Sequence, residues 1–203
     1  MKFDRASAPR SQILKATKSL LQKGGVTAVS MRSVAGVIGV SQMMPYKHFP
    51  SKDHILMELR LEAFESLTKQ MRKAQGTTED PYDALVQVSR AYVLFGLAHP
   101  NEYRLMFDPW EFDAYERILS DFGESANRES LSWQVNLDVV SAFCAAENLP
   151  VSPNAAAHWL WSSLHGALQL HLSRKLVFNI DIQELADIIC RSAPASIRAM
   201  QLD

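Results

Sequence analysis

Cysteine is nearly absent from this 203-residue chain. Cys144 and Cys190 lie far apart, with no metal-type spacing around either. This excludes a disulfide framework and a cysteine-rich metal site, and predicts two reduced core thiols in a cytoplasmic protein. Long apolar runs are missing too. No stretch approaches the ~20 residues needed to cross a bilayer, and the N-terminus carries neither the apolar run nor the cleavage site of a signal peptide. Strand pairs joined by hairpin-type turns do not occur, and no internal repeat is present. No glycine-rich phosphate loop follows a strand and no nucleophile elbow is found, so catalysis has no support and no catalytic residue or cofactor is assigned. His158 and His165 are seven residues apart, too far for the usual ligand spacing on one helix, so no metal site is assigned either.

What is present is an ample apolar content, 47%, enough for a core without covalent staples, and an uneven distribution of charge. Residues 1 to 55 hold nine Lys or Arg and two acids, whereas the remaining 148 residues hold 12 bases and 20 acids. A basic head on an acidic body points to a head that meets a polyanion.

Helical periodicity runs along the whole chain and predicts an all-α fold of about nine helices. Ile13, Leu14, Thr17, Leu20 and Leu21 recur at three- and four-residue steps until Gly24-Gly25. Ser30 is a natural N-cap for a helix burying Met31, Val34, Ala35 and Ile38. Gly39-Val40-Ser41 makes a tight turn, followed by a short helix to about Phe49, and Ser51 then caps a long helix to about Lys73. After a polar linker over residues 75–81, further helices are expected at about 81–98, 101–107, 130–147, 154–175 and 181–199. Residues 108–130 mix aromatic residues with a polar run and yield no clear element.

The segment from Ser30 to Phe49 has the form of a DNA-reading helix-turn-helix. Gly39 permits the tight turn, Val34, Ala35 and Val40 are small enough for close helix contact, and Ser41 can cap the second helix. Gln42, Met43 and Met44 then fall at the end of that helix that meets base edges in a major groove. Gln42 can pair bidentately with adenine, and Met43 and Met44 could lie against thymine methyls or pack in the core.

The residues Val34-Ala35-Gly36-Val37-Ile38-Gly39-Val40-Ser41 and Tyr46-Lys47-His48-Phe49-Pro50-Ser51-Lys52-Asp53 resemble the signature of the TetR family of transcriptional regulators over about residues 10 to 60. Pro45 departs from it, because the family usually has an aliphatic residue before the tyrosine. The resemblance implies a three-helix DNA-binding head at 1–53, a ligand-binding and dimerisation body at 54–203, and a homodimer. It also implies repression of a near-palindromic operator, relieved by a small, largely apolar effector. By the same resemblance Ser30, Arg32, Tyr46, Lys47, His48 and Lys52 contact phosphates, with Ser41 at the turn. A weaker likeness, His99 to Phe107 and Trp161-Ser162-Ser163-Leu164-His165-Gly166, is to a subgroup marked by Trp and His-Gly, and implies that 154–175 and 181–199 form the dimer. Phe95, Met106, Phe107, Trp110, Trp133, Trp161 and His165 are candidates to line an effector pocket, although most would serve equally as core. Two rival readings stand beside this one: a DNA-binding regulator without a ligand, and a helical small-molecule carrier or enzyme.

Overall fold

A computed structural model describes residues 10–107, 112–177 and 179–200, with the backbone only at 112–114. The described residues contain α-helices and short 3-10 turns but no strand: α1 (Arg10–Gly24), α2 (Met31–Ile38), α3 (Lys52–Gln75), α4 (Pro81–Ala98), α5 (Pro100–Phe107), α6 (Phe112–Asp121), α7 (Arg128–Ala146), α8 (Pro153–Leu172) and α9 (Ile182–Arg198). The expected helices appear within a few residues of their predicted ends, with two differences. Residues 42–47 form a turn and a 3-10 segment, Pro45–Lys47, where a short helix was expected. The unread stretch 108–130 supplies α6 and a 3-10 segment at Gly123–Asn127.

The described residues divide into two compact units. One holds those up to Ala63 together with those between His99 and Asn127, and the other holds Phe64–Ala98 with those from Arg128 onward. In the first unit, α1 buries Ile13, Ala16, Thr17 and Leu21 along one stripe. Thr17 can be buried because its hydroxyl donates to the Ile13 carbonyl at 2.8 Å. The α1 helix stops where Gly25 adopts φ 67° and its N–H returns to the Leu21 carbonyl at 2.8 Å. The α2 helix is bounded just as sharply. Ser30 Oγ accepts from Ser33 N at 3.0 Å while Ser30 N donates to Ser33 Oγ at 2.9 Å, a reciprocal cap that satisfies two otherwise unpaired amides. Gly39, at φ 72°, closes the other end.

These helices close over a core of Ile13, Leu21, Val34, Phe49, Ile55, Leu59 and, from α5, Leu105. Polar ties reinforce it. Gln22 Nε2 donates to the buried Glu102 at 2.8 Å, Asn101 Nδ2 donates to the Gln22 carbonyl at 2.9 Å, and Arg60 donates to the Leu105 carbonyl at 3.0 Å. Ile118 of α6 packs with Met57 and Leu61 of α3.

In the second unit α4 is buried on nearly every side, packed by α7, α8 and α9. Its buried serine is satisfied within the fold: Ser89 Oγ donates to the Leu85 carbonyl at 2.8 Å. Asn136 of α7 is likewise spent on the Ala157 carbonyl of α8 at 3.2 Å. At the far end Arg198 grips Glu147 through two hydrogen bonds and lies over the Phe143 ring. That guanidinium holds the Glu147 carboxyl below its ordinary range. Cys144 and Cys190 are both buried free thiols, and burial pushes Cys190 up to about 11. Among the described residues no helix is long and apolar enough to cross a membrane.

The cap on α2 supports a stability prediction. Ser30→Ala removes the half of the reciprocal cap in which Ser30 Oγ accepts from Ser33 N, leaves the Ser30 amide on Ser33 Oγ, and should cost about 1 kcal/mol, read as a lower urea midpoint at unchanged slope. An unchanged midpoint would mean that the cap adds nothing to folding.

Candidate nucleic-acid interface and a half-buried polar cluster

The candidate interface is fixed at both ends. Upstream, Gly39 in its left-handed conformation lets Val40 N reach back to the Ala35 carbonyl at 3.1 Å. Downstream, the Phe49 ring is buried, with the Arg10 guanidinium 4.6 Å from its centroid and Arg10 in turn paired with Glu58 at 3.1 Å. Between these anchors the hydrogen bonds are short-range: Met44 N to the Ser41 carbonyl at 2.9 Å, Lys47 N to Met44 at 3.0 Å and His48 N to Pro45 at 3.0 Å. Each spans three residues, the 3-10 pattern, and at the downstream end Phe49 N adds a four-residue bond to the same Pro45 carbonyl at 3.0 Å.

Side chains sort accordingly. Ser30, Arg32, Ser41, Gln42, Met43, Tyr46, Lys47 and His48 are exposed and Lys52 is half-exposed. Met43 stands out at 67% exposure and Tyr46 at 49%. Met44 does not share this face: at 4% exposure it packs inward, as does Pro45. Among the described residues no carboxylate pairs with Arg32, Lys47 or Lys52, so these cations remain available to phosphate oxygens. The Ser41 side chain is in no hydrogen bond that caps a helix; its carbonyl does the closing.

The start of α3 carries a feature that the sequence reading passed over. Ser51 Oγ accepts from the amides of Asp53 and His54 at 3.2 and 3.4 Å. Its own proton is then free for His54 Nδ1 at 2.9 Å, and His54 Nε2 faces Asp121 Oδ2 of α6 at 3.1 Å. The Ser-x-x-His spacing was visible in sequence, but Asp121 is 67 residues away from His54 and only the fold brings it there.

The effector candidates separate. Trp133, Trp161 and His165 come together in the second unit, with ring centroids 6.0 and 5.3 Å apart. Two residues not singled out from sequence, Tyr92 and Gln169, join them, as does His158, weighed from sequence only as a metal ligand. His158 stacks 4.2 Å from Trp133. Trp161 Nε1 donates to the Tyr92 oxygen at 3.1 Å, and that oxygen lies 3.2 Å from His165 Nδ1. Gln169 Nε2 is 3.4 Å from His165 Nε2. An imidazole accepting from Gln169 at Nε2 carries its proton on Nδ1 and donates it to Tyr92. Burial lowers the His165 pKa from its ordinary 6.5 and so favours this neutral form. Phe95 lies in the core of the same unit. Met106 and Phe107 belong to the other unit, Met106 fully buried and Phe107 against Tyr103 at 4.8 Å. Trp110 lies outside the described residues. A separate groove of about 350 Å³ between α4 and α9 is lined by Arg90, Val93, Leu94, Leu97, Ala186 and Cys190 among others, and contains none of the seven candidates.

Comparison with known proteins accords with this architecture. Residues 13–59 match the model of bacterial regulatory proteins of the tetR family, and residues 85–193 match the tetracyclin repressor-like C-terminal domain. The transcriptional repressor KstR of Mycolicibacterium smegmatis is 37% identical over 76 residues, 37% of each chain. The chain thus spans little more than a third of the length of the KstR relatives it matches. The transcriptional activator FasR of the same organism is 30% identical over 158 residues, covering 74% of this chain and 72% of that one. The crystal structure of PfmR, a TetR family transcriptional regulator from Thermus thermophilus, superposes with a TM-score of 0.63 at 19% identity, over 94% of this chain and 99% of that one. With a head and a body that each match, the second over more than half of the 203 residues, the chain belongs to the TetR family of bacterial regulatory proteins.

Proposed function

We propose that the protein is a homodimeric, cytoplasmic transcriptional repressor that binds a near-palindromic operator and is released by a small, largely apolar effector. The observation that carries this is the exposed set Arg32, Gln42, Met43, Tyr46, Lys47 and His48, displayed on one short stretch of chain, with no carboxylate among the described residues paired to Arg32 or Lys47. Residues 1–53 carry the DNA contacts, and 54–203 the effector and the second protomer. Ser30, Arg32, Tyr46, Lys47, His48 and Lys52 set register on the phosphates, while Gln42 and Met43 face base edges. Repression is the sign favoured by the KstR name, and activation by that of FasR; a reporter fused to the operator decides between them.

For the effector, the cluster of Trp133, Trp161, His165, Tyr92 and Gln169 offers aromatic faces with a few directional polar groups, the composition of a small-molecule site. An effector binding there acts only through preference for one arrangement of the dimer over another. For the dimer, α8 and α9 expose large apolar side chains, Leu170 at 46% and Ile188 at 55%, which a second copy would cover.

Four outcomes follow from these assignments. Lys47→Ala with Lys52→Ala should weaken binding to all duplexes alike and reduce the log–log salt slope by about 2, whereas Gln42→Ala should relax preference at one position per half-site; fluorescence anisotropy on single-base variants separates them, and a Gln42→Ala protein with unchanged preference refutes its base-reading role. Leu170→Glu with Ile188→Glu should convert the dimer to a monomer in light scattering, and a persistent dimer would place the interface elsewhere. His165 has a lowered folded-state pKa, so its contribution to stability is present above pH 6.5 and is lost as the pH falls from there through the folded-state value. The melting temperature should therefore drop between pH 7.5 and 5.5, and by less in His165→Gln; equal drops would remove His165 from the account.

A further inference from the structure

Pro45 occupies the one position in the interface where an amide proton decides what the backbone can become. Were residues 42–49 an α-helix capped by Ser41, the first intrahelical bond would run from the amide of residue 45 to the Ser41 carbonyl. Proline has no N–H to give, and its ring crowds the carbonyl four residues back. The chain answers by closing early: Met44 N takes the Ser41 carbonyl at 2.9 Å, and Pro45 becomes the first residue of a 3-10 segment that lasts only to Lys47. Proline is favoured at such a first position. At the other end Phe49 is buried, 3% exposed, and Pro50 follows it, which disfavours a helical continuation. Gln42 and Met43 are left on a turn ahead of the helical segment to which Tyr46 belongs. In an α-helix Tyr46 would instead lie beside Gln42, four residues on.

We infer that Pro45 is a positioning residue for sequence reading: it confines base contact to the turn residues Gln42 and Met43, so that each half-site specifies a short core of about two adjacent base pairs. The inference rests on the proposed DNA-binding role and adds to it which residues read and why so few. Pro45 itself, buried with Met44, acts only through the backbone it sets.

The test is selection of bound duplexes from a random library by the wild-type chain, Pro45→Ala and Pro45→Leu, with salt slopes measured on the selected sequences. Wild type should specify about two contiguous positions per half-site. Both variants regain the amide proton although one shortens the side chain and the other fills the site, so both should add at least one specified position next to those two, with at least tenfold discrimination there and an unchanged salt slope. A packing defect alone would weaken all duplexes evenly, differ between the two variants and leave the motif width as it was, and that result overturns the inference. If neither variant folds, wild type still decides: four or more contiguous specified positions per half-site overturn the inference while leaving the DNA-binding role intact, and a Gln42→Ala protein that loses one of only two positions sustains it. Recovery of no motif by wild type overturns the DNA-reading role itself and the inference with it.

Discussion

The Phe49 ring, sealed into the core of the first unit beneath the Arg10 guanidinium, is the constraint on which the interface depends. Ten residues earlier, Gly39 turns the chain out of α2 in a conformation that few other residues adopt without strain. Between these two fixed points the backbone must satisfy its own polar groups on an exposed surface; Pro45 withholds the amide that an α-helix starting at Ser41 would need, so Met44, Lys47 and His48 make three-residue hydrogen bonds, and Phe49 N closes the segment with a four-residue one to the Pro45 carbonyl. Which side chains face outward follows from that geometry: Gln42, Met43, Tyr46, Lys47 and His48 out, Met44, Pro45 and Phe49 in.

The same logic of anchored ends runs into α3. Ser51 spends its oxygen on the helix amides and its proton on His54, and His54 reaches Asp121 on α6. Lys52, a phosphate candidate, therefore sits between a capping serine and a histidine held by a second helix. Nearby, Glu102 is buried yet matched by Gln22, and Asn101 returns to the Gln22 carbonyl. The first unit is thus held by apolar packing with polar groups paired at its edges, and among the described residues no buried side-chain polar atom is left without a partner.

Much of this was legible in the residues. Ser30, Gly39 and Ser51 are punctuation with a local mechanism, and the elements they bound began and ended close to where they were expected. The cationic face was readable because charge and spacing are local properties. Three features were not. The 3-10 geometry at Pro45–Lys47 was hidden because the apolar spacing of Met44 and Phe49 suits a short helix equally well, although Pro45 itself was the warning. The α6 helix lay in a stretch where aromatic and polar residues mix without a clean period. Tyr92 and Gln169 escaped notice for a different reason: α4 is buried on nearly every side and has no distinctive stripe, so only the fold reveals that the Tyr92 hydroxyl meets His165 and Trp161.

The central claim is that two copies of this exposed basic face read one inverted repeat. Sedimentation of the purified protein with a duplex recovered by random-library selection, at two salt concentrations, tests it most directly. The account predicts a complex of two protomers on one inverted repeat whose affinity falls steeply as salt rises. Binding of single protomers to any duplex with equal affinity, no stronger than that of an unrelated basic protein, would contradict it.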